Sequence, residues 1–296
     1  MAVGTYRSRA DRIIDAVLYA ALAVFSLAAL FPLYYVAVSS ITPLKELLQQ
    51  GGFVLWPTSV TFEAYGSIFD SPVVPQALKI SVFVTVVGTA LNLTMTTLVA
   101  YPLSRKPMPG RSAFIVAIVF TMLFSGGLIP LYLVVHALGL INTVWALIIP
   151  GLVSSFNMLI MKTYFENLPA EIEEAAIVDG CGDVQVLWRI VIPLSLPIMA
   201  TLGLFYGVGH WNAYFAGIMY INDRSLYPIQ VVLRNLIQSP SVSQDLMMQN
   251  AETLQLVAPE TVKMATVVVA TLPVLVVYPF LQKFFMKGML LGSIKG

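Results

Sequence analysis

The chain has 296 residues, of which 58% are hydrophobic and 10% are charged, whereas soluble domains carry about 45–50% and about 25%. This composition excludes an ordinary globular enzyme. The net charge of +1 gives no indication of nucleic-acid binding. The single cysteine, Cys181, excludes an intramolecular disulfide.

The shortage of charge is concentrated in five stretches that contain no Asp, Glu, Lys or Arg: 16–39, 80–104, 112–161, 190–222 and 264–282. A helix that crosses a bilayer needs about 20 apolar residues, and the third stretch is long enough for two. The stretches are apolar on all sides, whereas barrel strands alternate. The sequence therefore predicts an all-α integral membrane protein with six transmembrane helices, at residues 16–38, 78–103, 113–135, 143–161, 194–221 and 262–284.

The orientation follows from the lysines and arginines. Of the 16, 11 lie on the N-terminal side of the predicted membrane, and basic residues favour the cytoplasmic side. We therefore expect residues 1–15 and the tail 285–296 to be cytoplasmic, and the six-helix transmembrane domain to cover 16–284. The apolar run at 13–38 follows Arg7, Arg9 and Arg12 as in a signal peptide, but it is too long for one, so we expect a retained first helix.

The predicted cytoplasmic loop at 162–190 is acidic, with six carboxylates against two basic residues. Pro169 suits a helix start, Gly180 suits a helix end, and Asp183 is expected to cap a second helix at 184–191. One face of the first helix combines Ile172, Ala175, Ala176 and Asp179. This narrow methyl face can enter a cleft of another protein, with carboxylates available to basic residues there. The alternative is a plain acidic surface loop.

The same loop carries a spaced motif: Glu174-Ala175-Ala176, three residues, Gly180, nine residues and Ile190-Val191-Ile192-Pro193. It resembles the EAA loop of permease subunits in binding-protein-dependent ABC importers, which usually have Leu where this chain has Ile192. The segments 284–288 and 292–296 are similar to the ends of carbohydrate permeases of the maltose type. The stretch 222–230 is similar to a subgroup that serves oligo- and polysaccharides, including pectic oligosaccharides and alginate. The resemblance covers residues 12–296.

The resemblance implies an assembly and a role for the loop. A homologous second permease, two cytoplasmic ATPase subunits and an external sugar-binding protein would be the partners, in a bacterial cytoplasmic membrane. No phosphate-binding G-x-x-x-x-G-K-[ST] motif occurs here, so ATP and Mg²⁺ would be bound by the ATPases, and we expect no cofactor, metal or catalytic residue in this chain. The residues implied in contact with the ATPase are Glu171, Glu174, Ala175, Ala176, Asp179 and Gly180.

The fifth predicted helix offers candidates for the sugar path. Tyr206, His210 and Tyr214 are spaced at i, i+4 and i+8, with Trp211 and Asn212 close by. Aromatic rings stack on sugars, and His and Asn bond hydroxyl groups. The alternatives are a packing role for these residues and for Gly203 and Gly207, or an interfacial aromatic belt. Further candidates in other helices are Asn157, with Ser154 one turn earlier, and Asn92.

The external loop at 222–261 is rich in Gln, Asn and Ser. It is either a solvated loop or, as the resemblance implies, the loop that enters the open binding protein. The residues expected at this contact are Ser239, Ser241, Gln244 and Gln249.

Two rival functions remain. An ion-coupled secondary transporter normally needs carboxylates or basic residues within the membrane, and the charge-free stretches contain no Asp, Glu, Lys or Arg. An intramembrane enzyme would need a catalytic or metal constellation, which two isolated histidines and one loop cysteine do not supply. The sequence therefore favours a permease that takes its energy from a partner.

Overall fold

Helices connected by short loops make up residues 9–238 and 259–293, which are the residues that the computed structural model describes; no strand occurs among them. The α-helices in chain order are α1 Arg9–Ser40, α2 Leu44–Gln49, α3 Glu63–Asp70, α4 Val73–Ser104, α5 Arg111–Leu123, α6 Leu128–Ala137, α7 Ser155–Glu166, α8 Ala170–Val178, α9 Asp183–Val186, α10 Ile192–Leu194, α11 Leu196–Trp211, α12 Phe215–Tyr220, α13 Ile229–Gln238 and α14 Pro259–Ser293. Short 3₁₀ helices cover Val144–Leu147, Ile149–Gly151 and Arg224–Leu226, and a π-helix covers Leu187–Val191.

Three helices are long and apolar enough to cross a membrane unbroken: Asp11–Ser40, Val73–Ser104 and Glu260–Pro279. Three further spans are helix pairs that bend sharply at a short break. The bend is 115° between α5 and α6, 51° between Val144–Gly151 and α7, and 80° between Asp183–Leu194 and α11. Counting each pair as one span gives up to six in the described residues, which agrees with the predicted all-helical membrane fold.

The third predicted helix, 113–135, is therefore not straight. α5 ends at Leu123 and α6 begins at Leu128. Between them Gly127 adopts a φ of 88°, a backbone conformation that glycine tolerates best. The hydroxyl of Ser125 accepts a 3.2 Å hydrogen bond from the N–H of Gly127. The Ser-Gly-Gly sequence at this point thus explains the break.

The fifth predicted helix, 194–221, also differs from the prediction. α11 ends at Trp211, and three non-helical residues separate it from α12. α12 packs against α13 so closely that a Cβ on Gly217 would lie 2.5 Å from Val231. The N–H of Asn142 donates a 2.7 Å bond to the carbonyl of Tyr220 at the end of α12. These tertiary contacts hold α12 as a separate short helix after the end of α11.

The short turn predicted at 136–142 is confirmed. Gly139 and Asn142 have φ values of 66° and 62°. The side-chain oxygen of Asn142 accepts bonds of 3.0 and 2.8 Å from the backbone N–H groups of Asn222 and Asp223. The turn therefore holds the chain where it leaves α12.

The chain divides into two compact units, the first formed by the described residues up to Ser71 with the start of α14, and the second by most of the remainder. In the first unit, the carboxylate of Glu46 fastens the segment after α2, accepting bonds from the backbone N–H groups of Thr58 at 2.7 Å and Ser59 at 3.2 Å. In the second unit, α4 packs against α11 and α7, and its C-terminal half contributes Ala100 and Leu103 to the core.

Candidate functional site

The helix α8 carries the motif noted in the loop at 162–190. Pro169 stands directly before it, and Gly180 ends it with a φ of 83°. The N–H of Gly180 donates to the carbonyl of Ile177 at 3.0 Å, and that of Cys181 to Ala176 at 2.9 Å. This pair of bonds is a Schellman motif, which requires a left-handed residue at Gly180. The predicted start and end of the helix are thus confirmed.

The exposed surface of α8 is partly apolar. Glu171, Glu174, Ala175 and Asp179 are exposed, and Val178 is 86% exposed. A helix of nine residues with this composition does not bury enough apolar area to be stable alone. The exposed carboxylates and apolar groups are therefore accessible to another protein.

The predicted single face of Ile172, Ala175, Ala176 and Asp179 is divided in the structure. Ala176 is 6% exposed and belongs to a core cluster with Phe165 of α7 and Leu187, whereas Ala175 is exposed. The reason is the packing of α8 on its own chain, which the spacing of residues could not reveal. Ala176 therefore anchors α8 to the permease and is not accessible to a partner in the way predicted.

The second short helix starts one residue away from the prediction. Gly182 is the N-cap and Asp183 is the first helical residue, so Asp183 does not act as the cap. The N–H of Gly182 instead donates to the side-chain oxygen of Gln185 at 3.4 Å. The predicted helix 184–191 begins as α9 and continues as the π-helix before Pro193.

A polar cluster joins α4, α11 and the break before α7. The side-chain nitrogen of Asn92 donates to the carbonyls of Gly151 and Leu152 at 2.7 and 2.8 Å. The side-chain oxygen of Asn92 is hydrogen-bonded to Nε2 of His210 at 2.6 Å. These groups satisfy backbone carbonyls that the break leaves without helical partners.

Tyr206 holds the other side of the same break. Its hydroxyl is hydrogen-bonded to that of Thr96 at 2.7 Å and accepts a 3.2 Å bond from the N–H of Ser154. Ser154 in turn caps α7, its hydroxyl accepting from the N–H of Asn157 at 3.4 Å. Asn92 of α4 and Tyr206 of α11 thus form hydrogen bonds with the two sides of the break.

These contacts assign a packing role to three residues predicted to line the sugar path. Tyr206 is 7% exposed, and both it and His210 use their polar atoms inside the bundle. Trp211 is 6% exposed and donates from Nε1 to the carbonyl of Ala270 at 3.0 Å. The structure therefore favours a packing role for Tyr206, His210 and Trp211 over a place in the sugar path.

The remaining candidates for the path differ in exposure. Tyr214 lies in the non-helical segment after α11, so it does not share a helix face with Tyr206 and His210 as predicted. Tyr214 and its neighbour Asn212 are exposed, whereas Asn157 is buried. Asn157 is linked to Tyr206 through Ser154, whose backbone N–H bonds the Tyr206 hydroxyl and whose own hydroxyl accepts from Asn157.

The glycines of α11 confirm the close-packing interpretation. A Cβ on Gly203 would lie 3.3 Å from Leu93 of α4, and one on Gly207 would lie 3.5 Å from the hydroxyl of Thr89. Gly88 of α4 is a site that the sequence reasoning missed: a Cβ there would lie 2.6 Å from Nε2 of His210. The sequence did contain a sign of this close contact, because a glycine stands one helical turn before Asn92.

The four residues expected at the binding protein, Ser239, Ser241, Gln244 and Gln249, lie outside the described residues. Within the described part of the chain, no group of three or more His, Cys, Asp or Glu side chains could hold a metal ion.

The described residues thus form a helical membrane protein in which up to six apolar spans, three of them bent, are accompanied by the exposed helix α8 in the loop between two spans. Residues 97–290 match the family described as binding-protein-dependent transport system inner membrane component. The chain belongs to this family. It is therefore a permease of the ABC importer class and not an enzyme.

Relatives match almost the whole chain. The polygalacturonan/rhamnogalacturonan transport system permease protein YtcP of Bacillus subtilis (strain 168) is 45% identical over 287 residues, which are 97% of this chain and 99% of that protein. Protein LplC of the same organism is 43% identical over 293 residues, 98% of each chain. A crystal structure of a bacterial ABC transporter involved in the import of the acidic polysaccharide alginate contains a chain that is 33% identical, with a TM-score of 0.86 and coverage of 95% and 99%.

Proposed function

We propose that this chain is the permease subunit of an ATP-driven importer that moves an oligo- or polysaccharide from an external binding protein into the cytoplasm. The substrate class is supported by two relatives, one named for polygalacturonan and rhamnogalacturonan and one for alginate. Polygalacturonan and alginate both carry uronic-acid carboxylates. Fragments of acidic polysaccharides, alginate among them, are therefore the substrates to test first.

The observation that carries the proposal is the exposed helix α8 with the EAA pattern. Glu171, Glu174, Ala175 and Asp179 are accessible to a partner, and the carboxylates can pair with basic residues of an ATPase subunit. Two such subunits, which bind ATP and Mg²⁺, would supply the energy. The conformation of Gly180 fixes where α8 ends and so fixes the shape presented to the ATPase.

The other proposed partners are a homologous second permease and the external sugar-binding protein. The loop at 222–261, with Ser239, Ser241, Gln244 and Gln249, would enter that binding protein. Asn212 and Tyr214 are the accessible candidates for sugar contact, and Asn157 is a buried one. We place the protein in the bacterial cytoplasmic (inner) membrane, with both termini in the cytoplasm.

Uptake of labelled oligogalacturonides by cells that express the complete importer tests the proposal. Vanadate, which blocks ABC ATPases, should abolish uptake, whereas vanadate-insensitive uptake that collapses with the proton gradient would support an ion-coupled carrier instead.

The role of α8 is tested by Ala175→Asp and Gly180→Asp, which should abolish sugar-stimulated ATP hydrolysis without preventing membrane insertion. The matched control is Ala170→Asp at the first position of α8, where the helix dipole favours an acid. Normal coupled transport by the Ala175 and Gly180 variants would contradict the assignment.

A further inference from the structure

One side chain of α8 forms a directional contact with a transmembrane helix. Both carboxylate oxygens of Glu173 accept hydrogen bonds from the guanidinium of Arg105, the residue that immediately follows α4. The side chain of Glu173 is 14% exposed and that of Arg105 is 28% exposed. A fork of two parallel bonds fixes distance and orientation together, whereas the apolar contact of Ala176 is non-directional.

Arg105 is itself held in position. Its guanidinium carbon lies 4.4 Å from the centre of the Tyr101 ring. The hydroxyl of Tyr101 donates to the carbonyl of Asp183 at 3.4 Å, and its ring contacts Phe165 edge-on, with 6.3 Å between centroids. Stacking on an aromatic face restricts an arginine that would otherwise sample many rotamers. The contact with Glu173 is therefore better ordered than an ordinary surface ion pair.

The other ion pairs of the described residues do not reach α8. Glu166 of α7 pairs with Arg111 of α5 and, at 2.9 Å, with Lys162 of its own helix. Among these pairs, Arg105 with Glu173 alone joins α8 to a helix that crosses the membrane in one piece. Among the ion pairs, this one therefore connects α8 to the C-terminal end of α4.

We propose that the Arg105–Glu173 pair is the positioning contact that transmits movement of α8 to α4 during transport; this inference rests on the proposed function. α4 carries Asn92 and Thr96, which hold α11 and the break before α7. A pull on Arg105 therefore reaches the polar cluster through one continuous helix. Glu173 acts on the permease side of α8, and the exposed Glu171 and Glu174 remain free for the ATPase.

A double-mutant cycle on the intact importer, reconstituted in proteoliposomes with its binding protein and ATPases, tests the link. The variants are Arg105→Gln, Glu173→Gln and both together, and the readout is oligogalacturonide transported per ATP hydrolysed. Because each single change breaks the contact between α8 and α4, ATP hydrolysis should continue with less transport, and we expect the ratio to fall several-fold. Loss of folding would lower both rates together and leave the ratio unchanged.

The double variant should be no worse than the worse single variant, because each single change already breaks the same contact. Lys106→Gln removes the neighbouring exposed cation and should leave the ratio at the wild-type value. A wild-type ratio in the single variants, or multiplied losses in the double variant, would overturn the link. A wild-type complex that shows no sugar-stimulated ATP hydrolysis would instead overturn the proposed function.

Discussion

Replacing Asn92 by Leu tests whether the polar cluster stabilises the break in the fourth span. Leu has the same branching and the same number of side-chain heavy atoms as Asn but no polar atoms, so the substitution removes the hydrogen bonds; its methyl groups are bulkier than the amide that they replace, and this crowding adds to the loss. Three bonds are lost: two to the carbonyls of Gly151 and Leu152, and one to His210. Asn92 is fully buried, so water cannot replace them.

The expected loss follows from these three bonds. A side-chain hydrogen bond within a membrane protein is worth about 0.6 kcal/mol on average and at most about 1.7 kcal/mol. Loss of all three should therefore lower the free energy of unfolding by about 2–5 kcal/mol, on the same per-bond values. The upper part of this range applies if the freed carbonyls find no other donor.

Unfolding in mixed detergent micelles, followed by circular dichroism, measures the difference. Thr94→Val is the matched control, because Thr94 is an exposed residue of the same helix and its hydroxyl bonds only the carbonyl of Ala90 among the described contacts, at 2.8 Å. A loss below about 0.5 kcal/mol for Asn92→Leu, the usual range for surface substitutions, would refute the stabilising role of the cluster.

Two further predictions concern other parts of the chain. Gly217→Ala places a Cβ 2.5 Å from Val231, so it should lower the free energy of unfolding by about 1–3 kcal/mol. The control Gly209→Ala, with no atom within 4 Å of the new Cβ, should not lower it. Equal stabilities of the two variants would contradict the contact. The backbone N–H of Thr58 holds the pKa of Glu46 below its ordinary 4.5, so the carboxylate stabilises its segment fully above pH 4.5 and less as the pH falls through the lowered pKa. The protection of residues 54–60 from hydrogen exchange, corrected for the intrinsic pH dependence of amide exchange, should then fall in acid in the wild type but show no such step in Glu46→Gln. A step that persists in the variant would assign it to another group.

The apolar stretches predicted the class of fold because burial in lipid imposes a strong constraint on composition. They did not predict where the helices bend. The break at Gly127 has a local signal in its Ser-Gly-Gly sequence, but the break after Trp211 follows from contacts of α12 with α13 and with the turn at Asn142. Such contacts join residues distant in sequence, which periodicity cannot register.

In the candidate site too, features set by local sequence were predictable and contacts between distant residues were not. The ends of α8 were predictable, because Pro169 and Gly180 act through local backbone geometry. The pairing of Glu173 with Arg105 was not, because 68 residues separate them. Likewise the spacing of Tyr206 and His210 predicted a shared helix face, but only the structure shows that both residues bond side chains of α4.

Cys181, the residue that follows Gly180, gives the protein a native labelling position. It is the single cysteine of the chain, it is partly exposed, and its backbone N–H closes the Schellman motif of α8. A spin label or fluorophore attached there would report the environment of this helix without engineered cysteines and without background from the rest of the chain. Distances measured from that label during ATP turnover would follow α8 directly in the working complex.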